Sequence, residues 1–339
     1  MRQLVMNEPG ELDWTEIPEP DLEGPGECLV RPVAVATCDL DGPIVRGEAP
    51  IPGPIKLGHE GVGEVVEVGN DVETVSPGDL VVIPFQISCG ECDNCRSGLT
   101  GNCLTVPPRS MYGFGALGGD WGGMLSDLVR VPFADAMLLK VPDGLDPVAI
   151  ASAADNIPDA WRTVAPYLLQ SPEKDVLVIG GAARSIGLYA VGIAQALGTG
   201  TVTYVDDDPV RLGIASDLGA RPIEASVPPG PDHDFEIVVD AGASRESLAS
   251  ACCSTSAGGD CTHVGIIYEP ETPIPLLEMY STGIHFHVGR AAARADLPAV
   301  LELISNGGFD PSVVTDRVLP FEQAATALLE PHNKLIFAP

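Results

Sequence analysis

Asp175-Val176-Leu177-Val178-Ile179-Gly180-Gly181-Ala182-Ala183-Arg184-Ser185-Ile186-Gly187 decides how the second half of the chain folds. An unbroken apolar run ending in small residues is the pattern of a strand buried on both faces, and the amphipathic segment 185–197 that follows has helical length. A second apolar run at 201–206 and a second helical segment at 209–218 repeat the alternation. Buried strands alternating with helices predict a doubly wound parallel sheet, with further strands at 235–240, 261–266 and 284–289 and helices at 246–254 and 297–305.

Upstream the texture is different. The first ~150 residues are rich in Gly and Pro, with short Val-rich segments at 28–35, 63–68 and 80–83, which predicts a β-rich, partly barrel-like domain. A chain of 339 residues has room for two domains of ~100 to 200 residues each. The expected boundaries are 1–155 for the β-rich domain, 156–290 for the parallel-sheet domain, and 291–339 for a segment returning to the first, ending in a short strand at 335–338. Residues 228–231, Pro-Pro-Gly-Pro, read as a surface loop inside the second domain rather than a linker.

With 45% apolar and 19% charged residues, the chain can bury real cores. Its 48 acidic residues against 18 basic give a formal net charge of −30. That excludes nucleic acid and anionic membranes as expected partners, because both need clustered Lys and Arg. The longest apolar stretches, 148–154 and 188–194, fall short of the ~20 residues that span a bilayer. Glu8 and Glu11 arrive before the apolar core of a signal peptide can form, so a cytoplasmic protein is expected. The acidity has two readings, adaptation to high salt or an ordinary acidic protein, which a salt titration of stability separates.

Persistent disulfides are disfavoured in such a compartment, so the nine cysteines need another explanation. Cys89, Cys92, Cys95 and Cys103 form a C-x2-C-x2-C-x7-C cluster in a Gly-rich loop, which brings four thiolates round one ion with no open position: a structural zinc site. Iron-sulfur ligation uses related spacings, but here no proline follows the last cysteine and there is no second cluster. A second set is dispersed: Cys38, His59 and Asp155. One thiolate, one imidazole and one carboxylate would leave a fourth position open, as a catalytic zinc requires. On spacing alone the same three residues equally fit a small buried thiol, a satisfied imidazole and a helix cap.

Gly58-His59-Glu60-Gly61-Val62-Gly63-Glu64-Val65-Val66-Glu67-Val68-Gly69, followed by Pro77-Gly78-Asp79-Leu80-Val81, resembles the G-H-E-x-x-G-x-V-x-x-V-G and G-D-x-V signatures of the zinc-dependent medium-chain dehydrogenase/reductase (alcohol dehydrogenase-like) family. The resemblance spans essentially the whole chain. It implies an α/β protein with an N-terminal GroES-like catalytic domain, a structural-zinc lobe at 89–103, and a Rossmann domain. It makes Cys38 and His59 the first two ligands of a catalytic zinc and Asp155 the third, although Asp159 stands where Thr or a small residue is common. Glu60 lies behind them, orienting the site and exchanging with the metal. Two zinc ions per chain follow. One departure matters: the residue two after the Cys ligand, commonly a Ser or Thr that relays the hydroxyl proton, is Leu40. Asp39, Glu60 or a water must do that work, with Asp39 or water favoured, or the substrate is not an ordinary alcohol.

The turn at 180–187 only partly matches a G-x-G-x-x-G phosphate loop, since Ala182 and Arg184 hold its first and middle positions. It is similar to the family's G-A-A-G-G-V-G turn with Arg replacing the middle Gly, which implies coenzyme contacts at Gly181, Ala182, Arg184, Ser185 and Ile186. Arg184 either donates to the pyrophosphate or faces solvent. Asp206, ending the second strand, would hold the ribose hydroxyls of NAD and repel NADP, while Arg211 leaves that discrimination incomplete. By similarity Gly242, Val264 and Gly289 lie at later strand ends beside the coenzyme. Trp121, Met124 and Trp161 fit either pocket walls or core. The expected activity is hydride transfer from an alcohol, polyol or sugar to NAD, in the cleft between the domains. The alternatives are a formaldehyde-type aldehyde dehydrogenase and a zinc-stabilised scaffold without turnover. A small-molecule substrate and a homodimer or homotetramer paired through 284–289 complete the expectation.

Overall fold

The computed structural model describes residues 1–228 and 234–339, so residues 229–231 of the Pro-rich loop lie outside the described residues. The chain divides into two units, Met1–Pro158 with Ala291–Ser305 and Thr315–Pro339, and Asp159–Arg290 with Asn306–Val314. The division falls slightly after the expected boundary at 155/156. Asn306–Val314, expected to return to the first domain, instead folds with the second unit. The reason is Phe309: its ring occupies the space over Gly192, where a Cβ would meet it at 2.3 Å, and it meets Tyr189 edge-on at 6.1 Å.

In the second unit six strands form one parallel sheet in the order Arg221–Glu224, Val202–Asp206, Val176–Ile179, Phe235–Asp240, Thr255–His263 and His285–Val288. Val176–Ile179 is buried at every position, as a strand covered on both faces must be. In chain order the strands lie 3-2-1-4-5-6, the Rossmann arrangement, and the winding reverses between Val176–Ile179 and Phe235–Asp240. Helix starts are set locally. Asp208 caps Pro209–Asp217 by accepting the Val210 and Arg211 N–H groups at 2.8 and 3.1 Å. Ser244 and Ser247 form a capping box ahead of Arg245–Ser254. The strand expected at 261–266 runs over Thr255–His263, and the helix expected at 297–305 begins at Ala293 with Pro298 inside it.

In the first unit a three-stranded sheet orders Glu11–Glu16, Arg2–Glu8 and Ile55–Lys56. A seven-stranded sheet orders Arg317–Pro320, Leu335–Ala338, Cys28–Ala36, Glu60–Val68, Leu80–Ile83 and Leu139–Lys140, with Val129–Val131 also on Cys28–Ala36. Pro32 lies inside a strand because the register shifts there, between Pro32 and Ala34, where no ladder donor is required. Met124 is fully buried in this unit's core, Trp121 packs partly buried against that core, and Trp161 is buried in the second unit. No helix among the described residues is long and apolar enough to cross a membrane.

Candidate metal and coenzyme sites

The strand Cys28–Ala36 delivers Cys38 into a turn that Asp41 closes: Asp41 Oδ2 accepts the Cys38 N–H at 2.8 Å. His59 precedes and Glu60 opens the strand Glu60–Val68 after Gly58, whose φ is +90° and whose Cβ would meet the Leu125 nitrogen at 2.6 Å. Any side chain at Gly58 would push this corner away from its neighbour. Asp155 follows the 3-10 helix Ala151–Ala154. These separate pieces converge. Ligand atoms of Cys38, His59, Glu60 and Asp155 lie within 4.8 Å of one another, and all four residues are buried.

His59 is fully buried between Phe85 and Phe114, ring centroids at 5.8 and 4.7 Å. Its Nε2 is 3.4 Å from Asp155 Oδ2 and its Nδ1 is 3.7 Å from Asp41 Oδ1, yet neither nitrogen has a hydrogen-bond partner, and Glu60 Oε1 has none either. Burial pushes the Cys38 thiol well above its usual range, with Asp155, Glu60, Asp41 and Asp39 adding to the effect. Burial also lifts Glu60 to about 8 against the pull of Lys334. Burial draws His59 down, but the surrounding carboxylates outweigh it and hold the imidazole at about 9. Four buried groups of ligand type, with both His59 nitrogens and one Glu60 oxygen unpartnered and carboxylates outnumbering cations, fit a divalent cation. The mixed sulfur, nitrogen and oxygen set suits zinc.

Three residues complete the pocket that the sequence reading gave no role. Asp41 bridges the Cys38 backbone and the His59 ring. Lys334 is fully buried and donates to Glu60 Oε2 at 2.9 Å, Asn156 Oδ1 at 2.8 Å and the Thr37 carbonyl. Asn156 in turn donates to Cys38 Sγ at 3.4 Å and Asp155 Oδ2 at 3.1 Å. The available signal was scarcity, because Lys334 is one of only four lysines in an acidic chain. Leu40 packs against the first unit's apolar core, and Asp39 is buried.

Cys89, Cys92, Cys95 and Cys103 likewise bring four sulfurs within 4.8 Å. Backbone N–H groups of Glu91 and Cys92 donate to Cys89 at 3.4 Å, Leu104 donates to Cys92 at 3.3 Å, and Thr105 donates to Cys103 at 3.4 Å. The Leu104 donor holds the Cys92 thiol down at about 6, whereas burial lifts Cys95 to about 12. Donors aimed at sulfur stabilise thiolates, the form that binds metal.

In the second unit Gly181 has φ +145° and lies so near Gly242 that a Cβ would meet the Gly242 Cα at 2.7 Å. Ala183 N–H donates to the Ala241 carbonyl at 2.9 Å and Ala182 N–H to Gly242 at 3.4 Å, tying the turn to the switch point. The helix Arg184–Ala196 starts directly after it, with Ser185 and Ile186 buried and Arg184 half-buried. Small residues, a helix N-terminus and a switch point fit a dinucleotide. Val264 follows the strand Thr255–His263, and Gly289 follows the outermost strand in an exposed position. Asp206 is buried and ion-paired to Arg211.

Residues 24–143 match the model of the alcohol dehydrogenase GroES-like domain. A "Probable zinc-binding alcohol dehydrogenase" of Mycobacterium tuberculosis is 30% identical over 335 residues, 96% of this chain and 84% of that one. A glutathione-independent formaldehyde dehydrogenase of Pseudomonas aeruginosa is 35% identical over 231 residues, 64% of this chain and 57% of that one. Among solved structures, the alcohol dehydrogenase TADH from Thermus sp. ATN1 superposes with a TM-score of 0.90 at 31% identity, covering 100% of this chain and 99% of that one.

Proposed function

The chain belongs to the zinc-dependent alcohol dehydrogenase family of medium-chain dehydrogenases/reductases, oxidoreductases that work with a nicotinamide coenzyme, and from that premise we propose that it transfers hydride from an alcohol, polyol or sugar to NAD. The observation that carries the reading is the buried convergence of Cys38, His59, Glu60 and Asp155 with both imidazole nitrogens unpartnered. In the proposal Cys38, His59 and Asp155 hold the catalytic zinc and the four lobe cysteines hold a structural one. When bound, the zinc supplies Lewis acidity toward a substrate oxygen and the nicotinamide supplies a hydride acceptor.

The chain's own residues do the rest. Asp41 fixes the Cys38 turn and faces the His59 ring, setting the imidazole's orientation. Lys334 compensates Glu60, so the carboxylate can sit behind the ligands without adding uncompensated charge. Phe85 and Phe114 keep water off the imidazole. Leu40 carries no proton, so the relay is assigned to Asp39, buried next to Cys38. The carboxylates at 206–208 favour NAD over the more highly charged NADP.

The outer strand His285–Val288 and the helix Leu276–Thr282 expose Leu276, Leu277, Tyr280 and Val288, and this face is assigned to a second copy of the chain. Oxidation of an aldehyde of the formaldehyde type is the second reading, favoured by the apolar Leu40 and by the similarity to the formaldehyde dehydrogenase. A panel of alcohols, polyols, sugars and aldehydes with NAD and NADP, followed by nicotinamide absorbance on wild type and Asp39→Asn, tests both. Reduction of coenzyme by aldehydes alone selects the second reading, and reduction by none of them removes both.

A further inference from the structure

The outermost strand of the second unit's sheet, His285–Val288, sends alternate side chains to opposite faces. Phe286, with Ile284 just ahead of the strand, packs against the apolar cluster that holds Leu177 and Val238. His285 and His287 therefore share the other face, their side chains 64% and 42% exposed. Two of the chain's six histidines thus stand two residues apart on the edge strand. The neighbouring strand Thr255–His263 runs parallel to it, with Asp260 directly across from His285 and Thr262 across from His287.

Both imidazoles turn toward one carboxylate oxygen. Asp260 Oδ1 lies 3.3 Å from His285 Nδ1 and 3.1 Å from His287 Nε2. Tyr167 braces the inner ring: its own ring centroid is 5.6 Å from that of His287, and its hydroxyl is 3.5 Å from Thr262 Oγ1. An ion held tetrahedrally at 2.0–2.1 Å from each ligand sets neighbouring ligand atoms about 3.3 Å apart. The two nitrogen–oxygen distances already match that spacing. The third side is wider, since the imidazole centroids are 6.5 Å apart, against about 5 Å for two rings on one tetrahedral ion. His285, the more exposed of the two, closes that difference by a turn of its own side chain.

We propose that Asp260, His285 and His287 form a metal site of their own, for a divalent transition ion of the zinc, copper or nickel kind. Imidazole nitrogen suits those ions, whereas magnesium and calcium prefer oxygen throughout. Two imidazoles and one carboxylate leave the remaining positions to water, so the site draws on neither the sulfur lobe nor the Cys38 cluster. All three residues belong to the second unit. Bound there, the ion staples the edge strand to its neighbour, on the face that does not carry Val288. The competing reading is that Asp260 only accepts an N–H from each neutral imidazole, which uses the same three residues but takes up no ion.

Equilibrium dialysis of the untagged protein, as purified, against nickel chloride tests this, with nickel and zinc both counted by elemental analysis and thermal unfolding followed alongside. The proteins compared are wild type, His285→Gln, His287→Gln and Asp260→Asn. Wild type is expected to take up about one nickel per chain without losing zinc, and its unfolding midpoint is expected to rise with nickel concentration but not with magnesium. Losing a partner behind a metal ligand costs about 10–100-fold in affinity, so losing the ligand itself is expected to cost at least about tenfold in each His variant. Both imidazoles are largely exposed, so these two variants are expected to keep the wild-type midpoint in the absence of nickel. A wild type that takes up no nickel overturns the proposal, as does uptake that persists unchanged in both His variants. Nickel uptake matched by zinc release overturns it too, because the ion would then lie at another site. None of these outcomes depends on turnover or on coenzyme binding.

Discussion

Asp41 touches both halves of the metal cluster, taking the Cys38 N–H on one carboxylate oxygen and facing His59 Nδ1 with the other. A carboxylate behind a ligating imidazole fixes ring orientation and raises basicity, and its loss typically costs about 10–100-fold in metal affinity. Asp41→Asn is therefore expected to weaken binding of the catalytic zinc by that order, measured by competition with a chromogenic chelator; unchanged affinity would show that the turn, not the charge, sets the ring. Lys334 poses a different question, because it is a buried cation whose ionic partner is a carboxylate in the same pocket. Removing one member of such a pair leaves the other uncompensated and costs about 3–5 kcal/mol, whereas replacing both is far milder. Lys334→Met is expected to destabilise the metal-depleted protein by about that much in denaturant unfolding, and Lys334→Met with Glu60→Gln to recover most of the loss. A double variant no more stable than the single one would mean that Lys334 acts through Thr37 and Asn156 instead.

Elements differ in how much of their conformation is written in local sequence. Val176–Ile179 announced itself because a strand covered on both faces must be apolar throughout, and Phe235–Asp240 through its buried Ile237-Val238-Val239 run. The strand Thr255–His263 hid its first half, since Gly258, Gly259 and Asp260 look like a turn: Gly258 takes φ +71°, and the pairing with Phe235–Asp240 jumps from Thr255 to Asp260. Convergence of Cys38, His59 and Asp155 was legible through a family motif, but Lys334 was not, because nothing local tells a buried lysine from a surface one. The loop 89–103 is the opposite case: spacing alone brings its four sulfurs together. With little regular structure of its own, that lobe would depend on the structural zinc proposed for it, so under that proposal Cys103→Ser is expected to lower the zinc content by one ion per chain and expose the loop to protease. A variant that keeps two zincs would place the second ion elsewhere. At the outer strand, Leu277 and Tyr280 are 80% and 84% exposed, large apolar groups that a monomer would leave in water. If this face pairs two copies of the chain as proposed, Leu277→Asp with Tyr280→Asp is expected to lower the sedimentation-derived mass while costing the folded chain no more than about 1 kcal/mol; an unchanged mass would count against pairing through this face.

The molecule as a whole carries a formal charge of −30, and that sets its response to salt. Many of its few cations are already spent on local pairs: Arg31 with Glu64, Arg46 with Glu48, Lys140 with Asp79, Arg317 with Glu330. Salt acts on these pairs and on the unbalanced carboxylates in opposite directions. Each surface pair is worth about 0–1 kcal/mol, so screening them costs little. The excess carboxylates repel one another across the whole surface, more strongly in the compact state than in the expanded chain, and screening relieves that penalty. The Debye length falls from about 10 Å at 0.1 M to about 3 Å at 1 M, below the spacing of most surface charges. Relief of repulsion therefore outweighs loss of the pairs, and the unfolding midpoint is expected to climb steeply from 0.1 to about 1 M KCl and then level off as screening saturates. Preferential exclusion of salt from the surface would act differently, growing with concentration above 1 M and depending on the anion. Unfolding curves in KCl and potassium sulfate at matched ionic strength separate the two: coincident rises below 1 M support charge repulsion, and a midpoint that falls or stays flat over that range means the local ion pairs carry more stability than their exposure suggests.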